Sequence, residues 1–238
     1  MTRALYHEDA YAAQARARVE AHTPEGGIVL DQTVFYPAGG GQPGDSGRLS
    51  WDRSEMTIAT AVRGEGDQVV LVPAEPRSLP PVGAHLEQRI DWERRHRHMR
   101  MHTALHILSV VIPLPVVGGA VGDGRGRLDF DMGVASADVE TLEELLNEAV
   151  DRDLPVEEEW ITQTALAENP QLIKTVGAMP PRGVDRVRLV RIGTGGDQID
   201  LQPCGGTHVA RTGEIGHLRI SRIESRGRRT RRVTLTLG

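Results

Sequence analysis

Two pairs of side chains have the types and the spacing of metal ligands. His102 and His106 are four residues apart, a spacing that brings both imidazoles to one face of a helix. Cys204 and His208 repeat this spacing, starting 98 residues after His106. Each pair alone is a weak signal, because such pairs also occur on solvated helix faces. Together they offer the nitrogen and sulfur donors that zinc prefers, provided that the fold joins them in one site.

Cys204 has a second interpretation as a nucleophile, with His208 or a helical histidine as its base. This nucleophilic chemistry stays open, although a zinc site would account for more of these histidines and the cysteine at once. The metalloprotease signature is missing, because Thr103 stands where a glutamate would follow the first histidine, and no phosphate loop precedes Lys174. The GDSG segment at residues 44–47 is typical of a turn rather than of a serine nucleophile. No nucleophile elbow is present.

The elements that must position these ligands follow from periodicity. The pattern predicts a helix over residues 92–111, with Asp91 as N-cap and Pro113 just beyond its end. A second helix is predicted over residues 138–151. Its apolar stripe consists of Val139, Leu142, Leu145, Leu146 and Ala149. Alternating segments predict strands in GRLDFDM, VEEEWITQ, VDRVRLVRI, QIDLQ, HLRISRI and RRVTLTL. Helices on a mixed or antiparallel sheet make this part an α+β domain.

Residues 27–91 consist instead of short strands and turns, which predicts a small β-barrel or sandwich. The proline-rich residues 74–83 indicate a loop near its end. The segment AYAAQARARVEA suits either a helix or an opening strand, and both stay open. We therefore expect a β-barrel-like domain over residues 1–90 and an α+β domain over residues 91–238.

Composition limits the class of protein. The 238 residues, 39% of them hydrophobic, can form a sizeable core. The sequence has no long apolar run and no apolar leader, so we expect a soluble cytoplasmic protein without a membrane partner. The one cysteine excludes an intramolecular disulfide and fits a reducing compartment. No obligate protein partner is evident.

Charge is distributed unevenly. The net charge of -5 gives no general reason to expect nucleic acid. Residues 219–232, however, contain seven arginines against only Glu224, and Arg94, Arg95, Arg97 and Arg100 alternate with His96 and His98. Such clusters are typical either of solvated faces or of phosphate contacts.

Four segments resemble the alanyl-tRNA editing proteins, often called AlaX, across nearly the whole chain. They are FYPAGGGQPGDSG, HTALH preceded by IDWERRHRHMRM, GRGRLDFD, and DLQPCGGTHVARTGEIG. The CGGTH form and the glycine-rich FYPAGGGQ segment resemble the alanyl branch rather than the related editing domain of threonyl-tRNA synthetase. The glycine-rich segment indicates the medium or longer form of the family.

The resemblance implies that His102, His106, Cys204 and His208 bind Zn²⁺. It implies a β-barrel-like accessory domain followed by an editing domain like the second additional domain of threonyl- and alanyl-tRNA synthetases. It further implies a trans-editing hydrolase that deacylates alanine tRNA mischarged with serine, or with glycine, by zinc-dependent ester hydrolysis.

The same resemblance suggests substrate contacts. Glycine backbone allows close approach to a terminal adenosine or to a developing oxyanion. The candidate substrate-binding residues are Gly39, Gly40, Gly41, Gln42, Gly205, Gly206 and Thr207. The candidate tRNA contacts are Arg94, Arg95, Arg228, Arg229, Arg231 and Arg232.

Three alternatives remain open. The chain would be a noncatalytic RNA-binding module if zinc only stabilised its fold. It would be a different editing enzyme if its substrate were serine-charged threonine tRNA. It would be another zinc hydrolase if it acted on a small ester or amide without RNA.

Overall fold

The computed structural model describes residues 1–131, 138–175 and 185–238. The chain forms two compact units, Met1–Arg97 and His98–Gly238. The division falls within a helix, after the boundary at residue 90 that the sequence predicted. The predicted boundary at residue 90 between two separately folding domains stays a prediction.

The first unit contains a closed barrel of six strands. Eight strands and one short helix belong to this unit: β1 (Arg3–Ala4), α1 (Leu5–Glu8), β2 (Gln14–His22), β3 (Ile28–Leu30), β4 (Gln32–Thr33), β5 (Gly47–Trp51), β6 (Ser54–Arg63), β7 (Val69–Pro73) and β8 (His85–Ile90). The barrel closes in the order β2-β3-β7-β6-β5-β8, and β1 pairs with β4 in parallel. The predicted barrel is confirmed, and the ambiguous segment near Arg18 is strand β2 rather than a helix.

Alternation of side chains explains the barrel. Successive residues of a strand face opposite sides, so Leu86, Gln88 and Ile90 of β8 are buried while their neighbours are exposed. Val19, Ile58 and other apolar residues of the remaining strands fill the same core. Closure removes the unpaired edges that an open sheet of this size would expose.

The described residues of the second unit form two antiparallel sheets. Its strands are β9 (Val116–Val121), β10 (Arg125–Asp131), β11 (Val156–Thr162), β12 (Arg186–Ile192), β13 (Asp200–Pro203), β14 (Leu218–Ser225) and β15 (Thr230–Leu237). Four strands pair in the order β14-β15-β10-β9, and three in the order β11-β12-β13. The α+β class is confirmed, as are the six strands predicted here, whereas β9 was not predicted.

The described part of the chain contains three further α-helices: α2 (Trp92–Val111), α3 (Val139–Asp151) and α4 (Gln163–Glu168). Asp91 accepts a hydrogen bond from the Arg94 amide at the start of α2, and α3 has Asp138 as its N-cap. The predicted stripe of α3 is wrong at Val139 and Leu145, which lie exposed at its edges. None of the helices in the described ranges is long and apolar enough to cross a membrane.

Candidate metal centre

Helix α2 carries two of the candidate ligands on a buried segment. Residues 98–109 are buried all round, apart from a partly exposed Arg100. Polar side chains in such a segment need partners, because a buried polar atom without one costs free energy. His102 and His106 are each 6% exposed and their ring centroids are 5.5 Å apart. The predicted helical pair is therefore confirmed as a pair of buried neighbouring imidazoles.

The second pair lies on the turn that follows β13. Arg188, on β12, holds this turn by donating hydrogen bonds to the carbonyl oxygens of Cys204 (2.6 Å) and Gly206 (2.9 Å). Its guanidinium also donates to Glu158, so the buried charge is paired. The Gly206 amide approaches the Cys204 sulfur at 3.5 Å. Arg188 thus fixes the backbone from which Cys204 and His208 project.

The fold brings the four side chains into one cluster. One donor atom from each of His102, His106, Cys204 and His208 lies within 4.8 Å of all the others. The Cys204 Sγ is 3.4 Å from His102 Nε2 and 3.3 Å from His208 Nε2. Tetrahedral zinc bonds of about 2.1 Å to nitrogen and 2.3 Å to sulfur separate such atoms by about 3.6 Å. The spacing fits a single ion of that size.

Thr103 orients His208 from the helix. Its Oγ1 donates to the carbonyl of Met99 (3.0 Å), so its single proton is used within α2. The same oxygen lies 3.1 Å from His208 Nδ1 and must accept the proton of that nitrogen. This arrangement places the ring proton on Nδ1 and leaves the lone pair on Nε2, the atom beside the Cys204 sulfur.

Asp200 orients His106 in the same way. Its Oδ2 lies 2.9 Å from His106 Nδ1 and 2.8 Å from Gln202 Nε2. Its Oδ1 accepts a hydrogen bond of 2.5 Å from Lys174 Nζ. Metal-bound histidines commonly donate their second ring proton to a carboxylate, which fixes the ring and makes it a better ligand. The buried Asp200 supplies that feature.

Electrostatics favours the ligating form of two side chains. Burial raises the pKa of the Cys204 thiol, but the charge of His102 and the hydrogen bonds from His102 and His106 outweigh burial and lower this pKa well below its ordinary value. Burial, aided by the charge of His102, lowers the pKa of His208 to about 3. Burial opposes the charged form of His106, yet its hydrogen bonds to Asp200 and Cys204 raise its pKa to about 9. A thiolate and a neutral imidazole are the forms that bind metal.

Three imidazoles and one thiolate are a donor set for zinc, and Thr103 and Asp200 hold two of the imidazoles through Nδ1. His106, with its raised pKa, must lose its other ring proton when it binds a metal. The residues therefore fit the ion that the sequence predicts. Binding of the ion itself stays a proposal, taken up below.

Two family models match the chain. Residues 187–234 match the threonyl and alanyl tRNA synthetase second additional domain, a range that contains Cys204 and His208. Residues 6–94 match the class II (A) tRNA synthetases.

Curated relatives match the full length. An alanyl-tRNA editing protein AlaX-M of Methanosarcina acetivorans is 32% identical, with 100% of this chain and 99% of the relative covered. The AlaX-M protein of Methanosarcina barkeri is 33% identical with the same coverage. This chain belongs to the AlaX-M alanyl-tRNA editing family. An alanine–tRNA ligase of Caldivirga maquilingensis is 38% identical over 94% of this AlaX-M chain, which covers only 25% of the ligase.

The glycine-rich segment of this AlaX-M chain forms a tight turn in the first unit. Gly39 and Gln42 exchange backbone hydrogen bonds of 3.0 and 2.9 Å. Gly40 and Gly41 between them have φ angles of 56° and 80°, the left-handed region that favours glycine. The Tyr36 hydroxyl donates to the Gly39 carbonyl (2.9 Å), and the Gln42 side chain is buried. The predicted substrate-binding role of these four residues stays a prediction.

Gly205, Gly206 and Thr207 lie in the second unit, on the turn between Cys204 and His208. Thr207 is fully buried, whereas Gly205 is exposed. The predicted substrate contacts of this turn stay predictions as well.

The predicted RNA-binding arginines occupy different environments. Arg95 is fully buried, where it forms an ion pair with Asp45 and donates to the carbonyl of Val34 (2.7 Å). The prediction that Arg95 contacts RNA is wrong, because this guanidinium holds the first unit together. Arg94 donates to the carbonyl of Gly44 (2.6 Å).

The carboxy-terminal arginines are nearer the surface. Arg229 pairs with Asp131 at 3.1 Å, and Arg232 pairs with Asp129 at 2.7 Å. Arg231 donates to Ser225 Oγ (2.9 Å), and Arg228 is exposed. Their contact with tRNA stays a prediction.

Sequence reasoning missed three residues that support the site, Thr103, Arg188 and Asp200, and it missed Asp45, which pairs with Arg95 in the first unit. Thr103 is adjacent to His102, and Asp200 lies four residues before Cys204. Proximity to the ligands was thus a signal for these two, although only the fold reveals their partners. Nothing near Asp45 or Arg188 in the sequence indicates their roles.

Proposed function

We propose that this chain is a zinc-dependent hydrolase that removes wrongly attached serine or glycine from alanine tRNA. The observation that carries the proposal is the cluster of three buried histidines, His102, His106 and His208, with the partly buried Cys204 in a member of the AlaX-M family. When bound there, zinc supplies a Lewis acid that polarises an ester carbonyl and makes water more acidic.

The residues of the chain hold and orient this centre. Thr103 and Asp200 each accept the Nδ1 proton of one imidazole, so that Nε2 of His208 and of His106 is the available donor. Arg188 fixes the turn that carries Cys204. Such rigidity matters because a hydrolytic site must place its donors before the substrate arrives.

The substrate class follows from the difficulty of discrimination. Serine has one hydroxyl more than alanine, and glycine has one methyl less. The pocket in which a synthetase activates alanine rejects neither of them strongly. A separate hydrolytic site selects the wrong product after it has formed. We propose that Gly205, Gly206 and Thr207 contact the aminoacylated end, and that the exposed arginines contact the tRNA backbone. Substrate binding by the turn at residues 39–42 is a separate proposal.

A second candidate is a noncatalytic RNA-binding module stabilised by zinc. Four protein donors complete a tetrahedral shell, whereas catalytic zinc sites usually keep one position open. This candidate predicts zinc binding and RNA binding without turnover. With four protein donors, activity would require that His208 is not a permanent ligand, that the coordination shell expands, or that the metal positions the substrate instead of activating water.

The deciding experiment is a deacylation assay. The purified chain is incubated with alanine tRNA charged with serine, glycine or alanine, and with threonine tRNA charged with serine. The proposal expects loss of serine or glycine from alanine tRNA, with correctly charged alanine tRNA preserved. Loss from threonine tRNA alone would assign the chain to the other editing branch, and no turnover of any substrate would favour the noncatalytic module.

A further inference from the structure

The four-stranded sheet of the second unit has one face that packs inward. Gly126 of β10 faces α2 so closely that a Cβ there would lie 2.6 Å from the Met101 sulfur. On β15, Leu235 and Val233, which pair with Gly126 and Leu128, are fully buried. The opposite face is here called the arginine face. Its charged residues are Arg125, Arg127, Arg219, Arg222, Arg226, Arg232, Asp123, Asp129 and Glu224.

Strand register arranges this face in rows. In neighbouring antiparallel strands, paired residues point to the same side of the sheet. Arg219 of β14 and Arg125 of β10 both pair with Thr236 of β15. The register therefore places one arginine on each side of a central threonine.

The next two rows continue this arrangement. Arg222 and Arg127 both pair with Thr234, which repeats the first row one step along the sheet. In the third row Arg232 is central and is flanked by Glu224 and Asp129. Rows of one face are about 6.8 Å apart along a strand, because each residue advances the strand by about 3.4 Å.

These rows border a groove of about 600 Å³ on the same face. Arg125, Arg127, Arg222, Arg226, Arg232 and Glu224 are among its lining residues. The arginine face, taken as these residues with Arg219, Asp123 and Asp129, has six positive and three negative side chains, a net charge of +3. The whole chain has a net charge of -5. The face is therefore a local positive region on an acidic protein.

The acids on this face leave four of its six arginines exposed, whereas Arg127 and Arg232 pair with Asp129 and are less exposed. Arg222 and Arg226 pair with Glu224 at 3.1 and 3.4 Å, and these arginine side chains remain 64% and 50% exposed. Exposed ion pairs contribute little free energy, so a phosphate can replace the carboxylate at small cost. Within the described ranges, Arg125 and Arg219 form no ion pair, and both are exposed.

We infer that the arginine face binds the sugar-phosphate backbone of tRNA. Guanidinium groups match phosphate oxygens with two parallel hydrogen bonds. Phosphate contacts supply most of the sequence-independent affinity for nucleic acid and position it. The inference rests on the proposed function for the identity of the RNA. It adds Arg125, Arg127, Arg219, Arg222 and Arg226 to the predicted tRNA contacts.

The test compares two triple variants with equal loss of charge. The first combines Arg125→Gln, Arg219→Gln and Arg222→Gln on the arginine face. The matched control combines Arg48→Gln, Arg53→Gln and Arg77→Gln, all exposed positions of the first unit. Binding of fluorescently labelled tRNA without an attached amino acid is measured by fluorescence anisotropy between about 50 and 200 mM salt.

The first variant is expected to bind tRNA at least about tenfold more weakly. The slope of log affinity against log salt should decrease in magnitude by about 2 to 3, because roughly three phosphate contacts are lost. The control should keep the wild-type affinity and slope. Wild-type binding by the first variant, or an equal loss in the control, overturns the inference. Displacement of tRNA by polyglutamate at equal charge would also overturn it, in favour of an acidic protein partner.

A second readout separates this inference from the proposed function. Hydrolysis of a seryl ester of adenosine, which has no phosphodiester backbone, should proceed equally in the wild type and in both variants. Slower ester hydrolysis in the first variant alone overturns a role limited to docking. If the wild type hydrolyses neither this ester nor charged tRNA, the proposed function fails, while the tRNA binding comparison still decides the inference.

Discussion

The hydroxyl oxygen of Thr103 lies 3.1 Å from Nδ1 of His208, 105 residues later in the chain. A residue adjacent to one candidate ligand thereby fixes the orientation of another. The amide of Val209 also approaches this oxygen at 3.3 Å. The hydroxyl group of Thr103 thus joins helix α2 to the segment that carries His208 and Val209. Thr103 is therefore the first position to test.

Replacement Thr103→Val removes this acceptor while keeping the shape of the side chain. We expect zinc affinity to fall by about 10- to 100-fold, the usual effect of losing an outer partner of a metal ligand. Competition with a chelator measures the change. Thr103→Ser keeps the hydroxyl and should remain near the wild type. Equal affinities for the valine and serine variants would contradict the assigned hydrogen bond.

Replacement Asp200→Asn removes the charge that faces His106 and Lys174. We expect zinc affinity to decrease by about 10- to 100-fold, because His106 loses the carboxylate that holds its ring. Asp197→Asn, at an acid whose side chain is 78% exposed, is the matched control and should change nothing. An Asp200→Asn protein that retained zinc as tightly as the control would show that His106 does not depend on this carboxylate.

The purified protein should contain about one zinc per chain. His102→Ala and Cys204→Ala should each reduce both the metal content, measured by atomic absorption, and the deacylation rate. Removal of the metal with a chelator should abolish hydrolysis, and added zinc should restore it. Full activity of a demonstrably metal-free protein would refute the zinc mechanism.

Replacement Arg95→Met leaves the buried Asp45 without its ion-pair partner. Breaking a buried pair costs about 3 to 5 kcal/mol in the free energy of unfolding. Arg48→Met, at an exposed pair with Glu55, should cost at most about 1 kcal/mol. Denaturant unfolding measures both. A stable Arg95→Met protein with a selective loss of tRNA affinity would restore the rejected role of Arg95 as an RNA contact.

Replacement Gly40→Val tests the proposed substrate role of the turn at residues 39–42. Gly40 has a φ of 56° and Gly66 a φ of 59°, and a Cβ at either position meets open space. The backbone strain of valine should thus be similar at both, on the order of 1 to 3 kcal/mol. We expect Gly40→Val to reduce deacylation and Gly66→Val to leave it unchanged, with zinc content normal in both. Equal activity of the two variants would argue that the turn does not contact substrate.

Local sequence patterns determined much of this protein. Alternation along β8 and β10 predicts strands, because neighbouring side chains of a strand face opposite sides. The spacing of His102 and His106 predicts a shared helix face for the same kind of reason. These inferences depend only on backbone geometry within a few residues, and the structure confirms the elements. Residue type and the four-residue spacing were enough to select both pairs of candidate ligands.

Tertiary structure decided which distant residues meet. Asp200 and His106 are 94 residues apart, and Arg95 and Asp45 are 50 apart. No periodicity connects such pairs, since their contact depends on how whole strands and helices pack. Arg95 and Arg222 are both arginines in basic segments, yet one is fully buried and the other is 64% exposed. Sequence supplies the charge of each guanidinium, but burial determines whether a buried carboxylate or the solvent surrounds it.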